Sequence, residues 1–125
     1  FIIGKQGFLI DWEKPVISHP VQDISQFMAS TTTLWRSNLV LTQRAKRDFL
    51  SGYLVETQFD GATVEEALRI YHPYLMLRAL SWSAMAFDSY QKDTKQLKNQ
   101  EIFEKVSSYL AEDFLRHALK EQVFE

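Results

Sequence analysis

The sequence predicts a mainly α-helical domain that opens on a short β-hairpin. Three observations predict it. Two apolar triplets, Phe1-Ile2-Ile3 and Phe8-Leu9-Ile10, flank the polar, glycine-bounded Gly4-Lys5-Gln6-Gly7, the pattern of a hairpin turn. From Thr42 onward apolar residues recur at helical spacing. Between Pro73 and Tyr90 the chain is apolar almost all round, a mark of a helix buried among others. The hairpin is assigned to residues 1–13 and the helical region to 20–124, in a single domain spanning 1–125.

After the second triplet the chain reads Asp11-Trp12-Glu13 and is halted by Lys14-Pro15. Asp11 falls where the backbone leaves the ladder, a position for a strand-ending carboxylate or for a metal ligand with a rigid base and an open side. Pro15 and Pro20 forbid a regular element between them, and Pro20 suits the first turn of a helix carrying Val21, Ile24 and Met28 on one face with Phe27 beside them. Asp23 lies in that first turn, where the helix dipole favours negative charge. Ser30-Thr31-Thr32-Thr33 reads as a break before Leu34-Trp35.

Ala45, Phe49, Leu50, Tyr53 and Leu54 set the inward face of the next helix, and Arg44, Lys46, Arg47 and Asp48 its solvated side. Phe59-Asp60-Gly61-Ala62 turns the chain, and Thr63-Val64-Glu65-Glu66 has the form of a capping box with Thr63 as cap. The helix so begun should stop or kink at His72, because Pro73 follows. Within the apolar stretch beyond it, Arg78 is the sole basic residue; a guanidinium there must be paired or snorkel to the edge, and a structural ion pair with a neighbouring carboxylate is expected ahead of substrate binding. Residues 91–96 form a polar connector, and a last helix runs from Asn99 toward Phe124 on the rhythm Ile102, Val106, Leu110, Phe114.

Composition narrows the function. The 125 residues carry 14 Lys and Arg against 16 Asp and Glu, a net charge of −2 that gives no basic footprint for nucleic acid. With no cysteine there is neither disulfide nor thiolate site, and no apolar run approaches the ~20 residues of a membrane span. The expected setting is cytoplasmic. His19, His72 and His117 are far apart in sequence and none has a second ligand one turn away, so a zinc site is unsupported. Neither a nucleophile elbow nor a glycine-rich phosphate loop occurs.

The hairpin ending in Asp11-Trp12-Glu13, followed by His19-Pro20-Val21-Gln22-Asp23-Ile24, resembles the aminoglycoside phosphotransferase and choline kinase family. These are small-molecule kinases of protein-kinase-like fold, in which a loop His-x-Asp-(x)4-Asn leads into such a hairpin and Pro-x-x-Asp opens a long helix about ten residues later. The chain begins where that loop would have ended, so the resemblance implies a carboxyl-terminal lobe lacking the catalytic base, which belongs upstream. It implies that Asp11 ligates the Mg²⁺ bridging the phosphates of ATP and that Asp23 supports the catalytic loop. Glu13 would assist nearby or cap the turn. Ile10 and Ile2 would line the adenine side of the cleft or serve as ordinary core residues. The acceptor is a small molecule with a hydroxyl group. Glu56, Asp60, Glu65 and Glu66 are open to a cationic acceptor or to plain helix-end charge. Two alternatives stand beside this: a kinase-like binding protein without catalysis, and an unrelated helical interaction domain. A lobe parted from its neighbours should expose Phe27, Met28 and Trp35 and associate with itself into a homo-oligomer.

Overall fold

The computed structural model describes residues 2–8, 17–92, 99–121 and 123. Two short antiparallel strands, β1 (Ile2–Ile3) and β2 (Gly7–Phe8), pair Ile2 with Phe8 and Ile3 with Gly7. Six helices follow among the described residues: α1 (Val21–Met28), α2 (Ser30–Arg36), α3 (Gln43–Thr57), α4 (Gly61–Lys92), α5 (Gln100–Tyr109) and α6 (Glu112–Ala118). The mainly helical domain behind a strand pair is thus the observed architecture.

The organising element is α4. Its 32 residues extend about 48 Å, and α1 and α5 make the most extensive contacts with it. Two stretches of α4 each anchor a core. Towards its start, Val64 and Leu68 close with Val21, Ile24 and Met28 of α1, Leu50 of α3 and Val123. About its middle, Leu75, Met76 and Leu80 close with Ala29, Tyr109 and Ala118, flanked by Trp35 and Phe114. Tyr71 packs against both cores and joins them.

Pro73 lies inside α4 without ending it. An interior proline removes a backbone bond and crowds the preceding turn, at about 3 kcal/mol. Here Leu68, His72, Leu75 and Met76 are buried on both sides of it, and their burial offsets that loss. The helix also starts earlier than Thr63. The Asp60 carboxylate accepts the Thr63 N–H at 2.9 Å and the Thr63 hydroxyl, which makes Asp60 the residue that satisfies the first turn; these two bonds hold its carboxyl below the usual range. The chain reaches it through Gln58, whose left-handed backbone (φ 57°) closes α3 with an N–H bond to the Leu54 carbonyl. Nor is α4 buried all round, since Tyr74, Leu77, Trp82 and Met85 are exposed while Leu75, Met76, Leu80 and Ser83 are buried.

Elsewhere the helices fall differently from the spacing. The threonine run is helical, and the break stands at Ala29, whose extended backbone (ψ 136°) lets α2 turn away from α1. Thr42 caps α3 by accepting the Ala45 N–H, and Asn99 caps α5 through the Ile102 N–H. The expected last helix is two: Ala111 is extended (ψ 140°), and α6 begins at Glu112. Breaking there folds Phe114 back onto Tyr109, with ring centroids 4.9 Å apart, a packing that one straight helix could not provide. Met28 is buried, not exposed, whereas Phe27 is 43% exposed and stacks on Phe49.

Candidate functional site

Asp11, Glu13 and Ile10 lie outside the described residues. Ile2 stands in β1 across from Phe8. Asp23 is in the first turn of α1 and faces solvent. The hairpin assigned to residues 1–13 is therefore described only through its strand pair and turn. Glu56 and Glu66 are exposed, Glu65 pairs with Arg69 one turn on, and Asp60 is occupied as the cap of α4.

Two constellations not foreseen from the spacing stand out. The first is a buried polar cluster. Lys46, expected on the solvated face of α3, is only 3% exposed; it shares a stripe with Leu50 and Tyr53 at i+4 and i+7, so the helix carries it inward. Its ammonium lies 3.2 Å from the Glu121 carboxylate. The same carboxylate accepts the Ser30 N–H at 3.3 Å and the Ser30 hydroxyl, and His72 Nε2 stands 3.6 Å away. On the other side of the ring, His72 Nδ1 is hydrogen-bonded to Ser25 Oγ at 2.8 Å. Burial would raise the Glu121 carboxyl, but facing His72, Ser30 and Lys46 outweighs it and holds the group at about 2.

Ser25, His72 and Glu121 follow one another as a nucleophile, a base and its orienting acid would. Ser25 has no accessible surface and His72 only 1%, however, so no substrate carbonyl can reach the hydroxyl. The cluster is a polar rivet tying the segment after α6 to α1, α2, α3 and α4.

The second constellation is open. Between α1, α2, α4 and α5 lies a cleft of about 610 Å³, lined by Gln26, Thr31, Thr32, Trp35, Arg78, Ala79, Trp82, Ser83 and Tyr109. Trp35 meets Trp82 edge-on at 5.6 Å and Tyr109 at 6.2 Å, geometries that favour aromatic pairs. The Tyr109 hydroxyl donates to the Thr31 carbonyl at 2.8 Å, and burial pushes its phenol up to about 12, so it stays a neutral donor. At the mouth, Gln26 Nε2 donates to Thr32 Oγ1, and Gln26 Oε1 accepts from Arg78 Nη2 at 3.1 Å. Arg78 is therefore met by an amide and, among the described residues, by no carboxylate, against the expectation of an ion pair. A helical wheel hides this cleft, because it forms only where the break at Ala29 brings Trp35 against Trp82.

Among the described residues no group of three or more His, Asp or Glu is placed to hold a metal ion, and no helix is long and apolar enough to cross a membrane. Comparison with protein-family models, with curated proteins and with solved structures finds no match.

Proposed function

We propose that the chain is the carboxyl-terminal lobe of an ATP- and Mg²⁺-dependent phosphotransferase acting on a hydroxyl group of a small molecule, in the cytoplasm. The observation that supports it best is the order of parts: an antiparallel strand pair, the segment Asp11-Trp12-Glu13, and then a helix bearing a solvent-facing acid, Asp23, in its first turn. An exposed carboxylate at that place is free to accept backbone N–H groups of a loop supplied from upstream. Magnesium takes hard oxygen donors and keeps several waters, so Asp11 with one further upstream group suffices to hold it. When bound, the metal would neutralise phosphate charge, and charge neutralisation with positioning is most of what a protein supplies in phosphoryl transfer.

Alone, the 125 residues lack a catalytic base on this reading and transfer no phosphate. The exposed rings of Phe8 and Phe27 support self-association of the lobe when separated from its neighbours.

The test is made on the longer parent protein, with Mg²⁺-ATP and a panel of hydroxyl compounds followed by phosphorus NMR. Asp11→Asn should reduce transfer to background while leaving the melting temperature within a few degrees. Undiminished transfer by that variant, or no ATP-dependent transfer by the parent with any hydroxyl compound, would remove the reading.

A further inference from the structure

The open cleft carries chemistry that the phosphotransferase reading does not use, and it stands independently of that reading. Its volume, about 610 Å³, is that of a small-molecule site. Its lining sets the indoles of Trp35 and Trp82 and the ring of Tyr109 beside the polar side chains already named, and the rings offer flat apolar surfaces. A polyhydroxylated ligand would find few partners on them, whereas a planar apolar body would lose little by leaving water.

The charge at the mouth decides the sign of the ligand. Arg44, Arg69 and Arg116 each have a carboxylate one helical turn away, at Asp48, Glu65 and Glu112. Arg78 has Tyr74 and Trp82 at those positions instead, and its one hydrogen bond among the described residues goes to the neutral Gln26. Gln26 is itself fixed by Thr32, so the guanidinium is held at the cleft with most of its donors free. A guanidinium so placed offers a forked pair of N–H groups to a carboxylate. It also repels cations, which sets this aromatic cleft apart from the cages that take quaternary ammonium groups.

We infer that the cleft binds an organic carboxylate with a flat apolar body, the ring system lying against Trp35 and Trp82 and the carboxylate on Arg78. Gln26 is a positioning residue, acting through Arg78.

Three probes of matched shape test this: 2-naphthoate, 2-naphthalenemethanol and 2-naphthylmethyl-trimethylammonium, titrated against the ¹⁵N-labelled chain while the tryptophan indole N–H signals are followed. The expected result is shifts at Trp35 and Trp82, with naphthoate bound about tenfold more tightly than the alcohol and the ammonium weakest. Arg78→Met should raise the naphthoate Kd to that of the alcohol, and Arg78→Lys should recover part of the difference. Trp82→Ala should weaken both acid and alcohol. Because Arg78 and Trp82 are exposed, unchanged dispersion of the remaining amide signals checks the fold of each variant. Equal binding of acid and alcohol, tighter binding of the ammonium, or no indole shift at millimolar probe would each overturn the proposal.

Discussion

Lys46 and Arg78 are long cations on helices that pack into the domain, and they end in opposite circumstances. Lys46 points inward at Glu121, and that carboxylate is in turn met by Ser30 and faced by His72. Arg78 reaches the mouth of an aromatic cleft and meets an amide. A buried charge is tolerable only when its partners are supplied at once, so the first region is closed chemically as well as sterically. At the second, solvent sustains the charge and a ligand can replace the solvent. Exposure and pairing, more than residue type, separate a charge that fastens the fold from one left available for recognition.

The sharpest way to break this contrast is to remove the carboxylate. Glu121→Ala should cost about 3–5 kcal/mol, because it withdraws the anion that three buried polar groups face; urea denaturation measures it. A loss below about 1 kcal/mol would make the cluster incidental.

The same carboxylate gives the contrast a pH signature. Its folded value of about 2 lies below the ordinary 4.5, so the folded state binds this proton less readily than the unfolded chain. The stabilisation is fully present above about pH 5 and is lost as pH falls through 4.5 towards 2. Thermal melts between pH 6 and 2 should show that decline, and Glu121→Gln should flatten it over the same window.

Tyr109→Phe tests the floor of the cleft. It deletes the donor to the Thr31 carbonyl while keeping the ring contacts with Trp35 and Phe114, and the carbonyl left behind is buried. A loss of about 1–3 kcal/mol is expected.

Smallest of all should be Arg78→Met, which leaves the melting temperature within a degree or two, since surface substitutions away from packed features change stability little. A large drop would show that Arg78, like Lys46, is fastened into the fold.

How far the sequence foretells this depends on the range of the cause. Caps and periodicity are local, and the helical architecture, the strand pair and the Thr42 and Asn99 caps can be read from neighbouring residues. Lys46 was readable too: its phase with Leu50 and Tyr53 points inward, although its charge argues for solvent. Glu121 was not, because its partners lie 91 and 75 residues away at Ser30 and Lys46, and no spacing rule spans that distance. Pro73 misleads for a related reason, since local strain predicts a stop and burial on both sides of the proline overrides it. The cleft depends on the extended backbone at Ala29, which nothing in Ser30-Thr31-Thr32-Thr33 announces. Of the residues drawn from family resemblance, Asp23 is exposed in the first turn of α1, which helix-end electrostatics alone would also place there, and Asp11 falls outside the described residues.

The long-range closure at Glu121 has a kinetic consequence. Ser30, Lys46 and His72 surround a place that is filled only when the segment after α6 returns across the domain, bringing buried Val123 with it. During synthesis the first four helices leave the ribosome before that segment exists, so their shared polar pocket stays wet and their core stays short of one wall. Assembly must therefore be completed late, by a contact of high sequence separation, and such contacts slow folding. A chain stalled before residue 121 would hold its helices in a looser state, recognisable by fast amide exchange along α1 and α3, and would tighten in one cooperative step once Glu121 and Val123 are released.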